Sequence, residues 1–366
     1  MNKTSFKKVL TMLLAAGILT TGCASGTSSA PAESTVPAAA AAPASSFAAA
    51  SEASSEAEPT VSGDLMVYTS AEDAFMTEVL NRFNAKYPDA NAQYFRSGTE
   101  EVISKLKAEK MAGSVQADLI MVSDGPTFES LKADGLLSAY ESPELANIYT
   151  EYVDPERMYY GTFPAAMGIM FNTTMVSEAP TGWKDLISEA AKDNAIMPSP
   201  LYSGTACNAL LELTRTEGIG WEFYQSMYDN GMAVVNGNGG VVNSVSAGEK
   251  AYGIVCDSNA LAAAAKGSPV GFIYPEEGVP ATADPIGILA DAKNRPAAEA
   301  FLDFMLSEEI QTLGRDLIGK CPVRKGIEGP DGSMPLEERT TLISDAKKLS
   351  EARDADKETF KEMFKQ

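Results

Sequence analysis

Short apolar segments alternate with amphipathic ones along residues 64–366, and this alternation restricts the chain to few folds. Ala117–Val122 is a mostly apolar run of strand length, whereas Ala71–Lys86 carries apolar residues at helical spacing. The same order recurs until the chain becomes mainly helical from Arg295 onward. Repeated strand-then-helix units predict an α/β fold of mainly parallel sheets flanked by helices. A body of about 300 residues is long enough for two lobes.

Small polar residues follow several predicted strands at the point where each strand ends. Because ligands of open α/β sheets bind outside the carboxyl ends of the strands, this pattern predicts a polar cleft. The candidate residues after strands are Ser70, Ser97, Gly98, Thr99, Ser123 and Asp257. For Asp257, capping of a helix from Ser258 to Lys266 is an equally good interpretation.

The stretch Met197–Leu211 is a second indication of a binding site. A loop with two prolines leads into a predicted helix that begins near Ser203, Gly204 and Thr205. Free backbone N–H groups and the positive end of the helix dipole meet there, and they bind phosphate or carboxylate without a cationic side chain. The alternative is ordinary N-capping by Ser203 or Thr205 with no ligand.

The residue types exclude several kinds of chemistry. The chain has no histidine, which removes Ser-His-Asp and Cys-His nucleophilic systems, histidine-containing zinc sites and histidine general bases. The segment Gly314–Lys320 has P-loop spacing, but Cys321 and Pro322 follow it and no strand precedes it, so we reject a P-loop. We expect no catalytic residue, metal site or cofactor, and therefore no enzyme. A tethered surface hydrolase is the alternative from another class.

The first 23 residues predict export. Lys3, Lys7 and Lys8 precede the short apolar run Val9–Leu19, as in a signal peptide covering residues 1–22. The sequence Leu-Thr-Thr-Gly-Cys that ends at Cys23 resembles the lipobox of bacterial lipoproteins, in which the cysteine receives a lipid. An ordinary secretory signal is the alternative. The resemblance implies attachment to the cell membrane, on the outer cell face or in the periplasm.

Composition changes abruptly after the signal. Residues 24–63 are rich in Ala, Ser, Pro, Thr and Glu and contain no Lys or Arg. Such a segment buries too little apolar surface to offset the loss of conformational entropy on ordering. We therefore expect residues 23–63 to form a disordered linker. The net charge of −21 becomes about −24 without residues 1–22, which argues against nucleic acid as a partner. Cys207, Cys256 and Cys321 lack metal-site spacing and are interpreted as small hydrophobic residues.

Several segments of the body, in this order and spacing, resemble one family of proteins. They are similar to extracellular solute-binding proteins of ABC importers, in the branch with ferric-iron, aminoethylphosphonate and sugar-phosphate binders. The segments that carry the resemblance are Trp183–Leu186, Pro200–Ala206, Gly248–Asp257, Lys266–Val270, Tyr274–Gly278, Lys293–Gln311 and Cys321–Lys325.

The resemblance implies a type II periplasmic-binding-protein (Venus-flytrap) fold of two α/β lobes. The first lobe would comprise residues 64–165 and return with the C-terminal helices at 276–366, and the second would comprise 166–275. A ligand would be trapped between the lobes by hinge closure and passed to a membrane permease driven by an ATPase. We expect the binding protein to be a monomer.

The ligand follows from how this chain departs from the iron-binding members. Those members carry two adjacent tyrosines after the strand equivalent to Ala251–Val255, where this chain has Cys256–Asn259. The adjacent pair Tyr159 and Tyr160 lies before the crossover instead. Ferric iron prefers hard anionic oxygens such as phenolate, so the chain departs from the iron-binding pattern. The hydroxyls and backbone amides of Ser70, Ser97–Thr99 and Ser203–Thr205 instead suit a phosphoryl or phosphonyl group, so the expected ligand is a small phosphonate or phosphorylated organic anion. Ferric iron remains the alternative.

Overall fold

We describe a computed structural model of the chain for residues 60–342 and 345–366. The predicted signal peptide 1–22, the lipidation site Cys23 and nearly all of the linker 23–63 lie outside the described residues. Within the described ranges, no helix is long and apolar enough to cross a membrane.

Eleven strands are present in the described residues. In chain order they are β1 (Gly63–Thr69), β2 (Ala90–Arg96), β3 (Leu119–Met121), β4 (Leu137–Ser138), β5 (Tyr160–Asn172), β6 (Ala195–Pro198), β7 (Ala233–Val235), β8 (Tyr252–Cys256), β9 (Val270–Ile273), β10 (Val279–Leu289) and β11 (Thr341–Leu342).

The same residues contain ten α-helices. They are α1 (Asp73–Lys86), α2 (Thr99–Met111), α3 (Gly125–Ala133), α4 (Gly204–Leu213), α5 (Gly220–Asp229), α6 (Asn238–Ser246), α7 (Asp257–Ala265), α8 (Arg295–Leu306), α9 (Glu308–Ile318) and α10 (Ala346–Phe364). Trp183–Ile187, where the sequence predicts the start of a helix, forms a short 3₁₀ helix instead.

The strands form two parallel cores joined by two long strands. In the first lobe β1 pairs in parallel with β2 and β3, and β10 runs antiparallel beside β3. In the second lobe β6 pairs in parallel with β7 and β8. Strand β5 connects the two, because it pairs with β10 up to Ala166 and with β8 from Met167 onward. The predicted α/β class and two-lobed type II fold are confirmed.

Each lobe has its own hydrophobic core. In the first lobe α1 and α8 pack against the sheet, and their Phe83 and Phe301 rings meet with centroids 5.1 Å apart. In the second lobe the fully buried Trp183 packs with Leu210 of α4 and Met227 of α5.

Strand β5 changes its pairing partner from β10 to β8 between Ala166 and Met167, next to the predicted lobe boundary at residues 165 and 166. The exact domain limits stay predictions.

The three cysteines among the described residues are free and buried. Burial raises the pKa of the Cys207 and Cys256 thiols to about 12, so both stay protonated at neutral pH. This agrees with their interpretation as small hydrophobic residues.

The C-terminal helix α10 contacts both lobes, although the sequence suggested that it returns to the first. It packs against α3 of the first lobe and against α4 and α5 of the second. The Phe360 and Phe364 rings belong to the second core, whereas Arg353 binds Asp124 at 2.8 Å in the first lobe. The helix starts at Ala346.

Arg353 lies at the centre of a buried ionic cluster. Its guanidinium donates to Asp124 and Glu100, and Lys357 of the same helix also donates to Glu100. Burial by itself raises the pKa of Glu100, but the charges of Arg353 and Lys357 outweigh burial and hold this pKa below its ordinary value.

Replacing Arg353 with methionine leaves the fully buried Asp124 without its cationic partner. Removal of one partner of a buried ion pair costs about 3–5 kcal/mol, so we expect a loss of that order in the free energy of unfolding measured with urea. As a control, Lys361→Met removes an exposed pair with Glu358 and costs less than about 1 kcal/mol. Equal losses in the two variants would contradict a special role for the buried cluster.

Candidate functional site

A cavity of about 690 Å³ lies between the lobes, where strands end and helices begin. Its walls come from both lobes, and one tyrosine, Tyr202, lies among the lining residues of the described chain. Eight residues singled out from the sequence line it: Ser70, Ser97, Gly98, Thr99, Ser123, Ser203, Gly204 and Thr205.

The first-lobe wall is built by the segments that follow β1, β2 and β3. Gly98 is the N-cap of α2, so Thr99 is the first residue of that helix and its free N–H groups lie at the wall. The hydroxyl of Thr99 donates to the Ser70 hydroxyl at 3.2 Å, and the Ser123 backbone N–H donates to the same Ser70 oxygen at 3.4 Å. Three strand ends are thereby held together by hydroxyl groups.

The second-lobe wall is the start of α4. Ser203 is the N-cap, and its hydroxyl accepts the backbone N–H of Ala206 at 3.4 Å. The Ser203 and Thr205 hydroxyls are 3.0 Å apart, and the side-chain amide of Asn238 donates to Thr205 at 3.1 Å. Asn238 begins α6, so a second helix start, preceded by Gly237, reaches the same wall. The capping interpretation of Ser203 is therefore correct, and the capped helix start also lines the cavity.

Glycines let the two lobes meet closely across the cavity. A Cβ atom at Gly204 would lie 2.7 Å from the Ser123 carbonyl oxygen and 2.8 Å from the Thr99 hydroxyl. A Cβ atom at Gly98 would lie 2.6 Å from the Tyr202 ring. Neither position has room for a side chain, because real Cβ contacts essentially never fall below 3.0 Å.

Positive side chains outnumber negative ones in the cavity wall of the described chain. Arg96, Lys266 and Lys320 line it, opposed by Glu72 and Asp284. Lys320 donates to Asp284, which also accepts the Ser123 hydroxyl at 2.6 Å. Burial lowers the pKa of Lys320, but the charge of Asp284 more than offsets burial and leaves that pKa above its ordinary value.

Asp257, the ninth predicted residue, is not among the residues that line the cavity. Its carboxylate binds the Arg339 guanidinium at 3.0 Å and accepts the Tyr274 hydroxyl at 3.1 Å and the Ser258 backbone N–H at 2.8 Å. With these partners the carboxylate is already satisfied inside the protein. Asp257 is therefore engaged within the protein. It is the first residue of α7 rather than its N-cap, which is Cys256, so the capping alternative is not met as predicted.

Sequence reasoning missed the three basic residues of the wall, Arg96, Lys266 and Lys320. Lys320 lies in the segment that was rejected as a P-loop, and Gly319 before it ends α9 in a left-handed conformation. That glycine is a recognisable helix-end signal. The sequence holds no signal that the end of α9 lies beside the start of α4, because this proximity depends on how the helices pack.

Neither residue of the adjacent tyrosine pair lines the cavity. The Tyr159 hydroxyl donates to Glu129 at 2.7 Å, and the Tyr160 hydroxyl donates to the Tyr140 carbonyl oxygen at 2.5 Å. Among residues 60–342 and 345–366, no group of three His, Cys, Asp or Glu side chains is arranged to hold a metal ion.

Residues 115–343, more than half of the chain, match the family model of the bacterial extracellular solute-binding proteins. The chain belongs to this family. As a solute-binding protein it is the substrate-binding component of an ABC importer, which works with a membrane permease and its ATPase. The members of this family are binding proteins rather than enzymes, and they act outside the cytoplasm.

Solved structures support the fold of this solute-binding protein. The periplasmic binding protein AfuA from Actinobacillus pleuropneumoniae, solved with fructose-6-phosphate, superposes with a TM-score of 0.77 at 23% identity, covering 82% of this chain and 98% of AfuA. Iron-bound HitA from Pseudomonas aeruginosa gives a TM-score of 0.70 at 17% identity, covering 81% of this chain and 99% of HitA. An uncharacterized protein of Haemophilus influenzae is 26% identical over 265 residues, which are 69% of this chain and 75% of that protein.

Proposed function

We propose that this solute-binding protein captures a small phosphorylated or phosphonate organic anion between its lobes and delivers it to the permease without altering it. The observation that carries the proposal is the meeting of two helix starts from opposite lobes. The first residue of α2, Thr99, lies beside the first residue of α4, Gly204, in the wall of one cavity. An anion bound there receives N–H donors and the positive dipole end of both helices.

Side-chain hydroxyls add donors at the same place. The hydroxyls of Thr99, Ser203 and Thr205 all belong to residues that are at least nine-tenths buried and line the cavity. A phosphoryl or phosphonyl group has three oxygens that accept hydrogen bonds, so it matches several donors arriving from different directions. A partly dry site also strengthens each of these bonds relative to water.

The local charge favours an anion in an otherwise acidic protein. The chain carries a net charge of −21, yet the cavity wall holds three basic and two acidic side chains among the described residues. Of the basic three, Lys320 is neutralised by Asp284, and Glu72 accepts the Asn259 amide at 2.9 Å. Arg96 and Lys266 remain, opposed by the negative Glu72, so the wall keeps one net positive charge to attract a negatively charged ligand.

The ferric-iron alternative has less support. Phenolate is a preferred protein ligand of ferric iron, and Tyr202 is the one tyrosine among the described residues of the cavity wall. Tyr159 and Tyr160 donate their hydroxyls elsewhere in the first lobe. Ferric citrate is included in the ligand experiment below as a direct test of this alternative.

The ligand is identified by thermal denaturation of the protein with fructose-6-phosphate, 2-aminoethylphosphonate, inorganic phosphate and ferric citrate. A ligand that binds only the folded state at about 100 times its dissociation constant stabilises it by about 2.7 kcal/mol, so the melting temperature rises. We expect a rise with an organic phosphate or phosphonate. The double variant Ser203→Ala with Thr205→Ala should bind that ligand at least about tenfold more weakly.

A matched control removes two exposed hydroxyls of the second lobe. Thr173 and Ser177 lie outside the cavity wall, so the double variant Thr173→Ala with Ser177→Ala should bind the same ligand with wild-type affinity. A melting-temperature rise with ferric citrate alone would overturn the proposed ligand class. So would organophosphate binding that is indifferent to the Ser203 and Thr205 substitutions.

Close approach of the lobes gives a second prediction. In Gly204→Ala the new methyl group collides with Ser123 and Thr99 of the first lobe, so the lobes cannot close fully on the ligand. We expect at least about a tenfold loss of affinity by titration calorimetry with the anion identified above. Gly239→Ala is the control, because Gly239 also lines the cavity but has open space around its Cβ position. Similar affinities in the two variants would contradict a need for closure at Gly204.

We also propose that Cys23 carries a lipid and that residues 23–63 tether the binding domain to the membrane. The lipobox-like sequence before Cys23 and the polar composition after it support this arrangement. The wild-type protein should enter the detergent phase of a Triton X-114 partition, whereas Cys23→Ser should stay in the aqueous phase. Aqueous partition of both proteins would exclude the anchor and favour an ordinary secretory signal.

A further inference from the structure

A second cavity of about 400 Å³ lies against the two strands that connect the lobes. Ala283 and Pro285 of β10 line it, whereas Asp284 between them lines the solute cavity. Asp284 therefore lies on the other side of β10 from its two neighbours, and the second cavity lies behind β10 as seen from the solute site. Its remaining walls come from β5, α4, the starts of α3 and α10, the segment around Val153 and the segment from Leu336 to β11.

Glu212 of α4 is the unusual residue of this second cavity. The residue is only 5% exposed, and its Oε2 atom has no hydrogen-bond partner among the described residues. Glu212 also lies in the last turn of α4, where the negative end of the helix dipole disfavours a carboxylate. A buried carboxyl oxygen without a partner is costly, and the protein keeps one here, although hydrogen bonds from the Asn208 side chain and the Ala281 backbone hold the pKa of the group down in part.

Burial raises the pKa of Glu212 to about 8 from an ordinary value of 4.5. The carboxyl group is therefore mostly protonated at neutral pH while the cavity is empty. A cation placed beside it would stabilise the ionised form and provide the partner that the Oε2 atom lacks.

The other charged groups of the wall do not serve as that partner. Arg339 binds Asp257 at 3.0 Å, and Asp154 binds Lys132 at 2.9 Å. Glu151, the remaining charged residue of the wall, is exposed and negative. Among the described residues of this wall, the Asp, Glu, Lys and Arg side chains without a partner of opposite charge, Glu151 and Glu212, are therefore both acidic.

Apolar side chains form much of the rest of the wall. Val153 and Leu349 are buried, and Leu336 and several prolines complete the surface. Such a wall favours a ligand with an apolar body and one charged end, since pockets for small molecules are mainly apolar with few placed polar groups.

We propose that this second cavity is a binding site for a small organic cation, a primary ammonium on a short apolar body, with Glu212 as its anionic partner. The site is separate from the solute cavity, and its existence does not rest on the nature of the transported solute. Three elements nevertheless reach both cavities. Helix α4 contributes Ser203–Thr205 to one and Glu212 to the other, and β5 and β10 each line both. An occupant therefore touches the strands through which the lobes are joined.

The test is titration calorimetry of the full-length protein with 2-phenylethylamine, whose ammonium group and apolar ring match the wall. We expect saturable binding with a dissociation constant on the order of 1 mM or below. Glu212→Gln, which keeps the shape but removes the charge, should bind at least about tenfold more weakly. The matched control is Glu217→Gln, an exposed glutamate just beyond the end of α4, which should bind like the wild type.

A second probe keeps the test decisive if Glu212→Gln fails to fold, as judged by its melting curve. 2-Phenylethanol has the same ring but no charge and should bind wild-type protein at least about tenfold more weakly than the amine. Absence of saturable amine binding would overturn the proposal. Equal affinities of Glu212→Gln and wild type, or of the alcohol and the amine, would also overturn it. Loss of amine binding in the Ser203→Ala and Thr205→Ala double variant would assign the amine to the solute cavity and reject the second site.

Discussion

The antiparallel pairing of β5 with β10 is the contact on which the rest of the structure depends. The two strands pair from Tyr160 and Ile286 to Ala166 and Ala281, and they carry the chain between the lobes. The register shifts between Ala283 and Pro285, and Asp284 lies at this irregularity. A bulge redirects a side chain and bends its strand. Here Asp284 enters the solute cavity, where it binds Lys320 and accepts the Ser123 hydroxyl.

The proposed anion site in an acidic protein is consistent with the short range of the electrostatic forces involved. At physiological ionic strength exposed charges are largely screened beyond about 8 Å, so the overall charge of −21 acts weakly inside the cavity. The hydrogen-bond donors nearest to a ligand in the solute cavity are N–H groups of helix starts and hydroxyls of buried residues. Such donors have fixed positions, because Ser203 is held by Thr205 and Ala206, and Thr205 by Asn238. Binding then requires little reorganisation of the wall.

Buried polar groups of this protein differ in whether their hydrogen-bonding capacity is satisfied. Asp257 is buried but fully partnered by Arg339, Tyr274 and Ser258, which leaves it no role in the cavity. Arg353 is likewise engaged with Asp124 and Glu100, and it fastens α10 to the first lobe. Glu212 has an oxygen atom with no partner among the described residues. The sequence alone does not distinguish these cases, since each is a charged residue within a helical pattern.

Local regularities determined the α/β class, most strand and helix positions and the helix start near Ser203 and Gly204, because apolar periodicity and capping residues act over a few neighbours. The hydroxyl residues of the cavity were predictable for the same reason, since they follow strands directly. Only the tertiary structure decided that Asp257 pairs with Arg339, that α10 joins both lobes, and that Arg96, Lys266 and Lys320 share one wall. These relations join residues far apart in the chain, and they arise from the packing of whole elements rather than from local sequence.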